Sequence, residues 1–373
     1  MGKIQPTRPA TPSGKAQQLQ AAAQAVPKTG KVSKSTQKCA AAKPKSDWSC
    51  VKYHKLRGPK YTNKKNAQPM SSYRNWHGLI NSGQITEEEA KLMLIMSPNE
   101  GDFNAVQAYD DQTITAGAMQ KTVNPSGQGE LPDQISRFKK SHPDKYKTLF
   151  EDKGWSVDQV EVKNKKGKVT GKKNVIKYTY TDKDGKAVSL SGSKLNSFFK
   201  SYCNAGTDAD TKANVEKALN SMRQAMEDDD YKKQQILDFK TRINEAISQT
   251  PTGYNYPISD YMHSTKGRAL ALDQSVNRPA YVEDDYGKAL DEFYKKNPKV
   301  SKNPADWGDK RSEYEDQIND IYGPDRRGTK MADRYKQIKN APDPVIPEDV
   351  TPSQSNNSLP TQPTSATVTP PGS

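Results

Sequence analysis

The sequence predicts an α+β fold, mainly α: one helical domain carrying a small β-hairpin and an inserted β-meander, flanked by disordered tails. Three observations lead there. Apolar residues recur at helical spacing through most of residues 48–337, the period drops to two between about 156 and 192, and both ends lack the apolar side chains that a core requires. With 373 residues, 32% hydrophobic and 27% charged, the chain is long enough for one large domain and has no apolar run of bilayer length.

Residues 1–47 read as a basic arm. Residues 1–65 hold 15 of the 58 Lys and Arg but only one of the 44 acids, Asp47, so this segment carries the whole net charge of +14 and the rest of the chain is balanced. Almost no Leu, Ile or Phe precedes Asp47, too little apolar surface to offset chain entropy. Such an arm suits an anionic polymer or an acidic component of a particle, bound through residues 1–65. The aromatic and basic stretch DWSCVKYHKLRGPKYTNKK, residues 47–65, has the residue types that stack on sugars or bases and bind phosphate, and reads as the place where the arm docks onto the domain.

The domain spans residues 48–337. Thr86 followed by three glutamates offers a capping box, and the apolar run Ala90 to Met96 then predicts a buried helix that stops near Pro98. Pro132 to Lys140 and Pro143 to Phe150 read as two short helices opened by proline. From Trp155 the alternation of Val160 and Val162, of Ile176, Tyr178 and Tyr180, and of Val188 and Leu190, with KNKKGK and DKDGK as turns, predicts the meander. Val215, Leu219, Met222 and Met226, then Ile236, Phe239 and Ile243, mark two core helices. Ser264 to Val276, Tyr286 to Tyr294 and Ser312 to Ile321 complete the domain. Residues 338–373, rich in Pro, Ser and Thr, read as a disordered tail.

Cys39, Cys50 and Cys203 lack paired spacing, which argues against a disulfide scaffold or a zinc module, and Cys203 beside Phe198, Phe199 and Tyr202 reads as core. His54, His77, His142 and His263 stand singly, so no metal or cofactor is expected. Asp260, His263 and Ser264 have the residue types of a hydrolase triad without a GxSxG elbow. No segment near Met1 has the apolar core of a signal peptide. The expectation is synthesis in the cytoplasm, followed by release on lysis, association with a particle, or injection.

The chemistry concentrates in Met96 to Asn124, MSPNEGDFNAVQAYDDQTITAGAMQKTVN. Glu100 follows a strongly apolar helix; Asp110 and Asp111 come ten and eleven residues later, ahead of an alternating segment ending at Gly117. Glycosidic cleavage needs two unlike carboxyls, one protonated to meet the leaving oxygen and one ionised. The negative end of a helix dipole and apolar neighbours such as Met96 favour a neutral Glu100, whereas Asp110 and Asp111, in a polar setting, should stay ionised. Gln120 and Asn124 have the donors and acceptors to bind hydroxyl or acetamido groups. On composition alone these acids also fit solvated turns.

Glu100-Gly101, Tyr109-Asp110 and Thr113-Ile114-Thr115-Ala116-Gly117 together resemble the catalytic signature of the lysozyme-like superfamily, which includes phage lysozymes and chitosanases. The resemblance implies a lysozyme-like domain whose general acid is Glu100, whose second carboxylate is Asp110 with Asp111 as rival, and whose water-positioning threonine is Thr115. Tyr109, Asp111, Thr113, Gln120 and Asn124, in the same stretch, are the candidate substrate-binding residues. GRALALDQSVNRP, residues 267–279, resembles the long central helix of such enzymes, with Asn277 at the cleft floor; an ion pair between Asp273 and Arg278 is the plainer reading of that helix end. The resemblance covers roughly residues 72–279 and implies a hydrolase acting on bacterial peptidoglycan. Two other classes stay open: a lysozyme-like structural or cargo protein of a phage-like particle, and a nucleic-acid-binding effector acting through the basic arm.

Overall fold

The computed structural model describes residues 46–349 apart from residue 165; the expected arm up to Lys45 and the tail from residue 350 lie outside the described residues, as does Cys39. The fold is mixed α+β, mainly helical, with two small antiparallel sheets.

The described residues open with a hairpin where the sequence predicts helix: β1 (Trp48–Tyr53) and β2 (Leu56–Tyr61), in register from Trp48 opposite Tyr61 to Tyr53 opposite Leu56. Helix α1 (Trp76–Asn81) leads to α2 (Glu87–Glu100). Thr86 and Glu89 form the expected capping box, with Glu89 N–H donating to Thr86 Oγ1 at 3.1 Å and Thr86 N–H to the Glu89 carboxylate at 2.8 Å. The expected stop at Pro98 is corrected: α2 runs on to Glu100, and Gly101 N–H closes it on the Ser97 carbonyl at 3.2 Å. Proline removes one donor from the ladder but leaves later residues free to stay helical. Gly101 ends the helix at φ 87°, a left-handed value that glycine adopts without Cβ strain.

Strands β3 (Val106–Gln107), β4 (Ile114–Ala116) and β5 (Lys121–Val123) add to the hairpin, giving a five-stranded sheet in the order β1-β2-β3-β4-β5. After α3 (Glu130–Ser141) and α4 (Pro143–Leu149) comes the meander, β6 (Trp155–Lys163), β7 (Val169–Thr181) and β8 (Ala187–Ser191), where the alternation placed it. Then follow α5 (Gly192–Ser201), α6 (Ala209–Ala225), α7 (Asp229–Ile247), the single turn α8 (Ile258–Tyr261), α9 (Thr265–Asn277), α10 (Val282–Lys296), α11 (Arg311–Asp325) and α12 (Met331–Asn340). The two core helices expected around Val215 and Ile236 are α6 and α7, with those side chains buried.

Two apolar clusters hold the domain. One joins α1 and α2 to the helices from α7 onward, through Trp76, Met93, Met96, Phe239, Leu272 and Phe293. The other packs the inner sheet face (Val106, Ile114, Ala116, Val123) against the meander and α3 to α6, through Phe138, Trp155, Phe199 and Leu219. Packing continues past residue 337, the expected end of the domain. Ile338 and Ile346 are buried in the first cluster, and the Asp349 carboxylate accepts from His77 N–H and Gly78 N–H at 2.9 and 3.0 Å.

Cys50 on β1 and Cys203, just after α5, form a disulfide, which corrects the expectation drawn from their spacing. A bridge across 153 residues leaves no local sequence signal, since only the fold brings its ends together. Cys203 does lie in the second cluster beside Phe198, Phe199 and Tyr202. Reduction, or Cys203→Ser, should destabilise the domain by about 2–4 kcal/mol, because the open chain regains the entropy of a long loop. Urea unfolding with and without reductant measures it; superimposable curves would show that the bridge carries no stability.

Candidate functional site

Glu100 ends α2 and is 1% exposed. It lies on the wall of a cavity of about 460 Å³ that is also lined by Gln120, Thr122, Glu130, Arg242, Asn277 and Arg334. Burial pushes its carboxyl up to about 7, against the attraction of Arg334, while the charge of Asp273 behind Arg334 acts in the same sense as burial. Arg334 Nη2 donates to Glu100 Oε1 at 2.5 Å. Among the described residues the other oxygen, Oε2, has no hydrogen-bond partner. One oxygen is therefore held and the other is available to a ligand.

Behind Glu100 runs a line of buried charge. Arg334 Nε donates to Asp273 Oδ1 at 2.7 Å, and Arg326 Nη1 stands 3.0 Å from Asp273 Oδ2 with both side chains fully buried. The plainer pairing of Asp273 with Arg278 is thereby corrected: Arg278 is exposed, and Asp273 faces inward to the two arginines. Nothing in the local sequence announces Arg334, which lies 234 residues from Glu100 and arrives on α12 through helix packing alone.

The turn joining β4 to β5 forms another wall. Gly117, Met119 and Gln120 have φ of 76°, 64° and 47°, and left-handed backbone at the two non-glycine positions costs energy that tertiary contacts must offset. Gln235, buried on α7, supplies such contacts: its Oε1 accepts from Ala118 N–H at 2.9 Å and its amide donates to Phe103 O at 3.3 Å. Gln120 is left exposed beside Glu100, and its Oε1 accepts from Gln107 Nε2 at 3.5 Å.

Asp110 and Thr115 do not line this cavity, but Thr115 lies in the strand register that leads to it and Asp110 is hydrogen-bonded to Thr115 from the β3–β4 loop. Directly paired residues project to the same face, and Thr115 is paired with both Gln107 and Thr122. Thr122 lines the Glu100 cavity, and Thr115 Oγ1 donates to Asp110 Oδ2 at 3.4 Å. Asp110 also accepts from Gln112 N–H at 3.0 Å. Burial raises its pKa, offset by that N–H and by Lys200. Asp111 is exposed.

The remaining sequence candidates divide. Asn277, at the end of α9, lines the cavity as expected, joined there by Ser275 and Val276. Thr113 is buried and its hydroxyl donates to the Asn124 carbonyl at 3.1 Å, while Asn124 Oδ1 accepts from Ser126 and Gln128 N–H, so both hold the local turn. Tyr109 is half-buried against Tyr53 and Lys60. His263 is exposed, and the N–H groups of His263 and Ser264 donate to Glu315, an arrangement that fastens a helix start rather than a triad.

Lys200 on α5 is a further residue without a sequence signal. Its ammonium donates to the carbonyls of Ala108, Asp110 and Gln112 at 2.7, 2.8 and 2.8 Å, gathering the loop that holds Asp110, and burial lowers its pKa to about 8. Lys200→Met should cost about 1–3 kcal/mol of stability, because three carbonyls lose one charged donor. Chemical denaturation reads the loss, and faster amide exchange at residues 108–112 should accompany it; unchanged exchange there would deny Lys200 this role.

No protein-family model matches the chain, and neither a curated protein nor a solved structure matches it. Among the described residues no group of three or more His, Cys, Asp or Glu is placed to hold a metal ion, and no helix is long and apolar enough to cross a membrane.

Proposed function

We propose that the protein is a glycan hydrolase of the lysozyme-like type that cleaves a β-1,4 bond in the aminosugar backbone of bacterial peptidoglycan. The observation that carries this reading is Glu100: a carboxyl held near pH 7 by burial, on the wall of a polar cavity, with one oxygen fixed by Arg334. A protonated Glu100 donates through Oε2 to the leaving glycosidic oxygen, and Arg334 steadies the carboxylate that results. Asp110, hydrogen-bonded to Thr115, directs water or stabilises the cationic sugar from the β3–β4 loop. The bond to Thr115 favours Asp110 over the exposed Asp111. Gln120, Asn277 and Thr122 offer the amide and hydroxyl groups that hold sugar hydroxyl or acetamido substituents.

Mass analysis of fragments released from purified peptidoglycan tests the proposal. Hydrolysis releases reducing ends that carry one added water; anhydro-sugar ends would assign the same acid to a lytic transglycosylase instead. Release of no muropeptides from any wall preparation would remove the enzymatic reading.

A further inference from the structure

The hairpin β1–β2 has no part in the chemistry proposed above, yet its placement ties it to the same surface. Lys60 on β2 is paired with Gln107, Gln107 with Thr115, and Thr115 with Thr122, so one row of side chains, with Thr115 buried within it, runs from the Glu100 cavity across four strands to Lys60. By the alternation of strands, Tyr53 and Leu56 share that face with Lys60, and Tyr53 is paired directly with Leu56. Both are exposed, 44% and 39%.

Around them the loop that carries Asp110 crosses the hairpin. A Cβ on Gly58 would come within 2.0 Å of the Ala108 carbonyl oxygen, so the loop lies directly on the β2 backbone and only glycine fits. Tyr109 thereby meets Tyr53 edge to face at 6.3 Å, with the Lys60 ammonium 5.7 Å from the Tyr109 ring centre. The hairpin also carries Lys55 at its turn and Lys52 and Arg57 on the opposite face, no acid, and no ion pair to any of its four cations among the described residues. The exposed Tyr53 and half-buried Tyr109 beside the Lys60 ammonium suit a ligand with apolar ring faces and a carboxylate.

We infer that the β1–β2 hairpin is a binding platform for an anionic aminosugar strand, extending the cleft beyond Asp110: Tyr53 and Tyr109 take sugar-ring faces and Lys60 takes a carboxylate carried by the sugar. This rests on the glycan reading of the Glu100 site, and nucleic acid is the competing occupant. The test uses the full chain with Glu100→Gln to prevent cleavage, and soluble muramic-acid-containing glycan strands freed of peptide as probe. Calorimetry should show binding weakened by about tenfold or more in Tyr53→Ala/Lys60→Ala, as expected when an aromatic anchor and a charge are both removed. Neutral chitin oligosaccharides of equal length should lose less. Tyr53→Ala alone, with its melting temperature unchanged, keeps the result clear of misfolding.

Binding of the strands within twofold of the parent would overturn the inference, as would no strand binding by the parent itself. Loss of duplex DNA binding with strand binding intact would hand the surface to nucleic acid and overturn it equally. If the hairpin variant loses strands while the protein with Glu100 intact cleaves no wall, the platform stands and the hydrolase reading falls.

Discussion

Glu100→Gln should lower peptidoglycan cleavage by about two to four orders of magnitude, the share a positioned general acid contributes. Glutamine keeps the shape of the side chain and cannot donate a proton to a leaving oxygen. A turbidity assay on purified walls reads the effect, and equal clearing by both proteins would remove Glu100 as the acid. The same substitution should stabilise the fold at alkaline pH. Folded Glu100 titrates near 7 against an ordinary 4.5, so between these values the native state binds more protons than the unfolded chain, and its contribution to stability falls as pH rises. Glutamine removes that penalty. The variant should therefore gain on the order of 1–3 kcal/mol relative to the parent above pH 7 and nothing below about pH 4.5. Urea midpoints across this range check the sign, and activity in the parent should fall as pH rises through about 7, where the acid form is lost.

Asp273→Ala is expected to be the most destabilising single change, at about 3–5 kcal/mol, because it leaves the fully buried Arg326 guanidinium without its anion. Replacing both partners, Asp273→Leu with Arg326→Met, should recover much of the loss, since neither buried charge then remains. A double change as unstable as the single one would show that the pair itself, rather than an orphaned charge, sets the cost. At a temperature where Asp273→Ala stays folded, Arg334 no longer divides its donors between two carboxylates, and the Asp273 charge that adds to the effect of burial on the Glu100 pKa is gone. The alkaline limb of the activity profile should move to lower pH.

These two predictions depend on residues that differ in how visible they are in the sequence. Glu100 can be found by reading: a capping box, an apolar helix and a carboxyl at its end are local features. The meander, α6 and α7 were legible for the same reason, since their side-chain periods are set by neighbours a few positions apart. The first hairpin was not, because its six-residue strands alternate poorly between buried and exposed positions and end in a basic run that reads as tail.

The sequence by itself determined the helical character of the domain, the inserted meander, the confinement of net charge to the first 65 residues and the carboxyl at the end of α2. Only the tertiary structure decided what surrounds that carboxyl. Arg334 arrives from 234 residues away, Asp273 turns inward to two arginines, Lys200 gathers the Asp110 loop, and Cys50 meets Cys203. The reason is physical: helix and strand periods arise from short-range backbone geometry, whereas desolvation and charge pairing depend on which distant segments share a low-dielectric interior.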